Sequence, residues 1–331
     1  MKQVGGSVAY SPYLLPPYTT FPPISMDHII TLNTLTQAHQ AMGLPHPKHP
    51  LVTMVRDKEL GDVSAFQGTK MVVNFYQVIF KQMGCGSVQY GKNSYDYGEG
   101  TLIFTAPGQV LGYNNDGEAS TEESNGWRLA FHPDLIRKSD LGDKISQYSF
   151  FGYEVHEALH LSEAERTIIE ELLEKIVKEY SQNLDRHSQH LIISNIQLLL
   201  DYCLRFYDRQ FYTRTNLNSD VISRFERLLH AHYQTDRVLE KGIPSVSYMA
   251  SQLNLSPNYL SDLLKKETGK TAQEHIHLYL IEQAKSRLLN SDHSISEIGY
   301  SLGFEYPQHF SNLFKAKTGM SPRAYRNGSG N

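Results

Sequence analysis

The chain has 331 residues, of which 40% are hydrophobic and 20% are charged. This length predicts two domains, and the composition is typical of globular proteins rather than of disordered chains. The net charge of -4 excludes a uniformly basic nucleic-acid-binding coat but not a locally basic face. Two cysteines, Cys85 and Cys203, exclude a disulfide scaffold and are typical of a reducing compartment. No apolar run is long enough to span a membrane, so we expect a cytoplasmic protein without a membrane partner.

The first segment, residues 1–50, is predicted to be an N-terminal arm. It is rich in proline, and only residues 27–42 are compatible with a short helix. Asp27 is the expected N-cap of that helix. Its apolar positions would be Ile30, Leu35, Ala38 and Met42. With so few apolar residues, we expect the arm to lie on another part of the protein.

Residues 51–208 are predicted to form a domain that begins with β-strands. From Leu51 to about Pro133, apolar residues alternate with a period of two in short runs separated by Gly, Asn and Asp. This pattern indicates an antiparallel sandwich or a small barrel. The chain then turns helical. Ser162 and Glu165 form a capping box at the start of one helix, and a second helix covers about 190–207 with a wide apolar face.

Residues 209–219 have no periodic apolar face and are predicted to be the linker to a C-terminal domain of residues 220–331. From Ser219 onward the charged side chains sum to +2, whereas the preceding residues sum to -6. The C-terminal third is therefore the mildly basic part of the chain.

The C-terminal domain contains an internal repeat. Residues 246–269 match residues 295–319 at an offset of 49 to 50 positions. Each unit is predicted to be a short helix, a tight turn and a second helix that begins with proline and ends at glycine, which is the helix-turn-helix pattern. A helix over 272–289 separates the units and spans about 27 Å. This length suits two recognition helices about one DNA turn, roughly 34 Å, apart.

The second helix of each unit carries polar side chains opposite its apolar face. Asn and Gln side chains form paired hydrogen bonds with adenine, Ser hydroxyls form hydrogen bonds with several bases, and an Asp carboxylate accepts a hydrogen bond from the cytosine amino group. These side chains are therefore candidates for reading bases. They are Asn258, Ser261 and Asp262 in the first unit and Gln308, His309, Ser311 and Asn312 in the second. The expected DNA phosphate contacts are Lys265, Lys266, Lys315, Arg323 and Arg326.

The pattern SISEIGYSLGF…HFSNLFKAKTGMSPRAYR, residues 294–326, resembles the signature of AraC/XylS-type transcriptional regulators. The run LSPNYLSDLLKKETGKT resembles that family's first helix-turn-helix, and the resemblance extends over about 219–326. It implies that the seven polar residues named above occupy base-facing positions, although family members often carry Arg where Asp262 stands. It also implies a cupin-like β-barrel that holds an effector, followed by a helical pair that makes a dimer, without identifying any effector-binding residue.

The expected fold class is therefore α+β with several domains. An antiparallel cupin-like β-barrel with a helical pair would precede an all-α domain with tandem helix-turn-helix units. The expected function is a sequence-specific DNA-binding transcription regulator that responds to a small-molecule effector, and an activator by family habit. Its expected partners are double-stranded DNA, the effector, RNA polymerase and a second copy of the chain.

Two other functions stay open. The first is a cupin-type small-molecule enzyme fused to a DNA-binding domain, which would need an H-x-H pair and a Glu on barrel strands. His46 and His49 instead lie ahead of the strands with H-x-x-H spacing. The second is a constitutive regulator whose barrel is purely structural.

One motif suggests different chemistry. Residues 156–160 read HEALH, the HExxH pattern in which two His on one helix bind zinc. The capping box at Ser162 places the pentapeptide before the helix rather than within it. We therefore expect no enzyme activity, no catalytic residue, no metal site and no cofactor.

Overall fold

A computed structural model describes residues 29–60, 70–81, 89–90, 93–94, 100–112, 125–154, 157–213, 215–234 and 237–328. The Asp27 cap, most of the prolines in the predicted arm and Cys85 lie outside the described residues. The architecture is mixed α+β, with β-sheets in the N-terminal half and helices alone in the C-terminal third.

The alternating apolar pattern between Leu51 and Pro133 forms strands, as predicted. Their bounds, with one strand on either side of that stretch, are β1 (Ile29–Leu32), β2 (Val52–Arg56), β3 (Lys70–Val73), β4 (Tyr76–Lys81), β5 (Gln89–Tyr90), β6 (Asn93–Ser94), β7 (Thr101–Thr105), β8 (Gln109–Gly112), β9 (Trp127–Phe131) and β10 (Leu159–His160). An antiparallel sheet has the order β10-β7-β4-β9-β2, and a smaller one has the order β1-β3-β8. Strands β5 and β6 pair with each other.

The observed strand order contradicts the expected closed barrel. The two larger sheets are separate, and no strand pairing in the described residues closes them into a barrel. The sheets are also not wholly antiparallel, because β1 runs parallel to β3. Only part of the expected fold class therefore holds: a β-sheet domain with a helical pair precedes an all-α domain.

The first half of the predicted helix 27–42 is wrong. Residues Ile29–Leu32 form β1, whose partner strand β3 lies about 40 residues further along the chain. Helix α1 (Leu35–Ala41) begins only after Thr34, whose side-chain oxygen accepts from the Gln37 amide at 3.2 Å. Leu35 is fully buried. The end of the predicted arm is thus part of the sheet domain, because its apolar residues pack under β3.

The N-terminal helices follow the sheets. They are α2 (Pro133–Ile136), α3 (Asp140–Lys144), α4 (Glu163–Ser181) and α5 (Ser188–Thr213), with a 3-10 turn at Ser149–Gly152. The capping box of Ser162 and Glu165 at the start of α4 is confirmed. The second predicted helix is also confirmed but continues through the first half of the predicted linker. Its last turns are held there because Gln210 is fully buried and bonded to the backbone near β10.

The larger sheet is buried on both faces. Because side chains alternate along a strand, one face carries large aromatic and aliphatic residues against α4 and α5. These are Phe80, Leu102, Phe104, Trp127, Leu129 and Phe131. The opposite face points toward the smaller sheet and lines a cavity between the two sheets.

The C-terminal domain is built from helices alone and has its own core. Its helices are α6 (Thr215–Gln234), α7 (Arg237–Lys241), α8 (Val246–Leu253), α9 (Pro257–Thr268), α10 (Ala272–Asn290), α11 (Ile295–Ser301), α12 (Pro307–Thr318) and α13 (Pro322–Gly328). The repeat is confirmed, since α8–α9 and α11–α12 are equivalent pairs in which the second helix starts at proline and ends at a glycine C-cap. The separating helix α10 is confirmed as well. No helix in the described part of the chain combines the length and apolar content needed to cross a membrane.

Candidate nucleic-acid interface

The second recognition helix, α12, presents its polar face to solvent. Phe310 and Phe314 are buried on the inner side and anchor the helix to the domain core. The side chains predicted to read bases lie on the other side. Gln308, His309 and Asn312 are exposed and Ser311 is half-buried. This face therefore leaves amide and imidazole groups available for hydrogen bonds to base edges.

The predicted phosphate contacts of the second unit divide into two kinds. Lys315 and Arg323 are exposed near the open face. Arg326 instead donates to two backbone carbonyls, from Nε to Leu288 at 3.2 Å and from Nη2 to His293 at 2.6 Å. It thereby stabilises the C-terminal end of α10, where a cation is favoured by the helix dipole.

The first recognition helix, α9, contacts the N-terminal domain through part of its polar face, where Asn258 is exposed and Asp262 is half-buried. The Asn258 amide nitrogen donates to the Ser149 carbonyl at 3.3 Å. The Tyr153 hydroxyl donates to Asp262 Oδ2 at 2.6 Å. Burial and the nearby Asp262 carboxylate raise the pKa of Tyr153, which keeps its proton for this bond. Ser261, between them, is half-buried.

Apolar side chains of α9 extend this contact. Tyr259 and Leu263 are buried and pack with the core of the N-terminal domain, whereas Leu260 and Leu264 pack into the C-terminal core. The Tyr259 ring meets Tyr153 edge-on at a centroid distance of 5.2 Å and Phe211 at 5.0 Å. The apolar side chains of α9 thus belong to the cores of both domains.

Two carboxylates of the N-terminal domain lie against α9. Glu157, which is 2% exposed, accepts from the backbone amide of Ser256 at 2.6 Å, at the N-terminus of the helix. Asp208 pairs with Lys266 at 3.0 Å near the other end. We call the whole contact the docking interface. It comprises Ser149, Tyr153, Glu157 and Asp208 on the N-terminal domain and Asn258, Tyr259, Asp262, Leu263 and Lys266 on α9, with Ser256 just before it.

Sequence reasoning missed the N-terminal half of the docking interface. Tyr153 and Asp262 are 109 residues apart, and no periodicity or motif connects them. The sequence marks Glu157 only as the Glu of the HEALH pattern. The last two residues of that motif, Leu159–His160, form strand β10 and precede α4, as the position of the capping box predicted. The described residues contain no group of three His, Cys, Asp or Glu side chains placed to hold a metal ion, and His156 lies outside them.

The cavity between the sheets, which we call the inter-sheet cavity, has a volume of about 300 Å³. Its walls are mainly apolar, and its polar lining comes from the inward faces of the strands and from His39 of α1. The Thr105 hydroxyl is buried there and finds no hydrogen-bond partner among the described residues. Two cationic side chains, Lys81 and Arg128, also line the cavity, and Arg128 bonds Asp57 at 3.4 Å.

Buried Cys203 lies on the inner face of α5. Burial raises the pKa of its thiol. A thiolate-based redox switch at this position is therefore disfavoured.

Comparison with known proteins agrees with the architecture of the C-terminal domain. The helix-turn-helix domain family matches residues 249–328. The chain is 40% identical over 80 residues to the HTH-type transcriptional activator RhaS of Salmonella arizonae, a match that covers 24% of this chain and 29% of RhaS. The chain thus spans less than a third of that relative.

Two solved structures are similar over the same part. The C-terminal domain of the response regulator yesN from Fusobacterium nucleatum is 26% identical, with 32% of this chain and 98% of that chain covered and a TM-score of 0.29. An AraC-type transcriptional regulator from Chromobacterium violaceum is 21% identical, with 33% and 91% covered and a TM-score of 0.29. Residues 249–328 therefore belong to the helix-turn-helix domain family, and this part of the chain is similar to the transcriptional activator RhaS.

Proposed function

We propose that the chain activates transcription in the cytoplasm by reading two successive major-groove segments of double-stranded DNA with α9 and α12. The observation that carries the proposal is the open polar face of α12, on which Gln308, His309, Ser311 and Asn312 lie opposite a buried aromatic anchor. Exposed Lys315 and Arg323 flank this face and suit phosphate contacts, which fix the register of a helix in the groove. We retain Arg326 as a phosphate contact only through its exposed edge.

Selection of bound sites from a random duplex library tests this function. With the full-length chain at about 150 mM salt, where non-specific binding is weak, we expect a motif of two short blocks about one turn apart. No enrichment over input DNA, either with the full-length chain or with residues 219–331 alone, would contradict the proposal. A motif that occurs twice in each recovered site would indicate that two copies of the chain bind together.

Two substitutions on α12 separate base reading from phosphate contact. Asn312→Ala should cost about 1–3 kcal/mol on the preferred site and relax selection at one base pair, because a bidentate contact is lost. Lys315→Ala should weaken binding to all sequences and reduce the salt slope by about one. Titration of both variants against the selected site and a scrambled site measures the difference. An Asn312→Ala protein with unchanged preference would show that α12 is not registered as proposed.

We further propose that the sheet domain is a cupin-like effector domain and that the inter-sheet cavity is its binding site. The cavity combines an apolar wall with a buried unpartnered hydroxyl and two cationic side chains. This lining suits a small molecule with an apolar body and a polar or anionic group. The alternative of a purely structural sheet domain predicts no specific ligand there.

Strand β7 connects the inter-sheet cavity to the docking interface. Ile103 and Thr105 line the cavity. Phe104, which lies between them in the strand, points to the other face of the sheet and packs on Phe150 with 4.4 Å between the ring centroids. Phe150 belongs to the turn that also contains Ser149, an acceptor for α9. A ligand that repositions β7 would therefore change the surface on which α9 rests.

Thr105→Val tests the cavity as an effector site. Removal of an unpartnered buried hydroxyl should leave the stability of the free protein unchanged or slightly raised. An effector at 100 times its Kd should stabilise the unaltered protein by about 2.7 kcal/mol, and the variant should lose part of that gain. Thermal unfolding with a panel of small sugars, carboxylates and aromatic acids measures both. Equal ligand-induced shifts in the two proteins would place the effector elsewhere.

We also propose that the exposed apolar side of α5 contacts a second copy of the chain. Leu191 and Leu198 lie seven residues apart on α5 and are exposed, at 44% and 45%. An apolar stripe of this kind on a helix is suited to burial against a second copy of the chain. RNA polymerase stays an expectation that follows from the activator assignment.

A further inference from the structure

The two recognition helices differ in their access to DNA. The polar face of α12 is open, whereas the equivalent face of α9 is in contact with the N-terminal domain: Ser261 and Asp262 are half-buried, and Asn258, although exposed, donates to Ser149. Asn258 and Asp262 already have partners in the N-terminal domain, and Tyr259 and Leu263 are buried against its core. We infer that the N-terminal domain is an autoinhibitory partner of α9, which it binds in place of DNA. This inference rests on the proposed DNA-binding function.

The charges at the docking interface support direct competition with DNA. The N-terminus of a helix binds phosphate through free backbone amides and the helix dipole. At α9 the buried Glu157 carboxylate occupies that position and accepts from the Ser256 amide. At the other end, Asp208 holds Lys266, a candidate phosphate contact. Both carboxylates thus use donors that a DNA backbone would need.

Glu157 is held in place by its own domain. Its second oxygen accepts from the Glu154 amide at 2.7 Å, and its backbone carbonyl accepts from the Tyr207 hydroxyl at 3.2 Å. The carboxylate is therefore oriented toward α9 by contacts that do not depend on α9. This is the arrangement expected of a preformed acceptor for a helix N-terminus.

Docking and DNA binding by α9 are consequently alternatives. The Tyr153 hydroxyl and the Ser149 carbonyl already bond the side chains of Asp262 and Asn258 that would have to bond base edges. Only molecules with α9 released bind both groove segments, so the apparent affinity is reduced in proportion to the released fraction. Any change that weakens the docking interface without altering α9 should raise DNA affinity.

A disulfide across the interface provides the sharpest test. An ideal Cβ placed on Gly152 lies 4.0 Å from the Cβ of Asn258. This separation is within the range of about 3.5–4.5 Å found in disulfides. In the variant Gly152→Cys/Asn258→Cys, oxidation should therefore lock α9 onto the N-terminal domain, and reductant should release it.

The readout is binding to a random-sequence duplex of about 40 base pairs, because phosphate contacts do not depend on sequence. The oxidised variant should bind about tenfold more weakly than the same protein after reduction, with a smaller salt slope, since α12 alone still engages DNA. The reduced form controls for the loss of Asn258. The two single-cysteine variants control for pairing with Cys85.

Each outcome is decisive. Equal affinity of the oxidised and reduced forms, or failure of the disulfide to form, would overturn the autoinhibitory contact while leaving the proposed function intact. Failure of the reduced form and the unaltered chain to bind any duplex would overturn the proposed function and this inference with it.

Substitutions confined to the N-terminal domain should act in the opposite direction. Tyr153→Phe removes the bond to Asp262, and Asp208→Asn removes the pair with Lys266. Both should raise affinity for the same duplex severalfold. Asp208 is exposed, so its replacement leaves folding intact. Glu174→Gln removes one exposed negative charge on α4, away from the interface, and is the matched control. A control that gains as much as Asp208→Asn would attribute the gain to net charge and overturn the role of Asp208.

Discussion

Gly303→Ala should unfold the C-terminal domain at markedly lower denaturant than the unaltered chain. Gly303 has a φ of +89°, which L-residues rarely adopt. An added Cβ would also lie 2.9 Å from the Gly242 carbonyl carbon and from the Ile243 amide nitrogen. Both are backbone atoms at the end of α7 and cannot move aside as a flexible side chain would. Strained φ and overpacking each cost about 1–3 kcal/mol, so we expect a loss of about 3 kcal/mol or more.

Gly319→Ala is the matched control for this prediction. Gly319 has a similar φ of +79°, but a Cβ there would meet nothing within 4 Å. Its replacement should therefore cost only the backbone strain, about 1 kcal/mol. Equal losses in the two variants would show that the contact with Gly242 and Ile243 is not tight.

Tryptophan fluorescence and circular dichroism follow the unfolding of different parts of the chain. Its single Trp, Trp127, is buried in the sheet domain, so tryptophan fluorescence follows that domain. Helical circular dichroism includes the all-α C-terminal domain. In urea, Gly303→Ala should shift the circular dichroism transition and leave most of the fluorescence transition in place. Coincident shifts of both signals would mean that the two domains unfold as one unit.

The C-terminal domain could be predicted because its signals are local. The Pro and Gly at the ends of α9 and α12 and the four-residue spacing along α10 depend on neighbouring residues in the sequence. The capping box of Ser162 is local in the same way. Strands between Leu51 and Pro133 could be predicted as well, since their period of two also needs only adjacent residues.

The parts that could not be predicted depend on distant partners. Strand β1 exists because it pairs with β3, which the composition of a Pro-rich segment does not indicate. The separate sheets and the parallel pair follow from such pairings too. On the candidate site, the sequence identified the polar faces of α9 and α12 but not that Tyr153 bonds Asp262 on α9 and that Glu157 bonds the Ser256 amide just before it. A contact between residues about 100 positions apart leaves no periodic trace in a single sequence.

The predicted linker shows why buried polar residues are hard to interpret. Gln210 interrupts the apolar face of α5, which favours a break in the helix, yet it is fully buried. Its amide nitrogen donates to the Ala158 carbonyl at 3.1 Å, and its amide oxygen accepts from the His160 backbone at 2.9 Å. The Gln210 side chain therefore bonds backbone groups at the short strand β10 in the way a neighbouring strand would, and it connects β10 to α5.

Gln210→Leu should accordingly destabilise the sheet domain by about 2–6 kcal/mol. The substitution is close in size, but it leaves a buried amide and a buried carbonyl without a partner, each at about 1–3 kcal/mol. Urea unfolding followed by Trp127 fluorescence measures the loss directly, because the tryptophan is in the same core.

Gln189→Leu on the same helix is its matched control. Gln189 is exposed, and its bond to the Leu135 carbonyl at 3.1 Å can be replaced by water. We expect a change within about 0.5 kcal/mol there. If Gln210→Leu were equally mild, the backbone near β10 would have to find other partners, and α5 would not depend on Gln210 to continue past the predicted domain boundary. A large loss would instead show that one buried amide fixes both the last turns of α5 and the strand that leads from Glu157 into α4, and so couples the docking interface to the stability of the sheet domain.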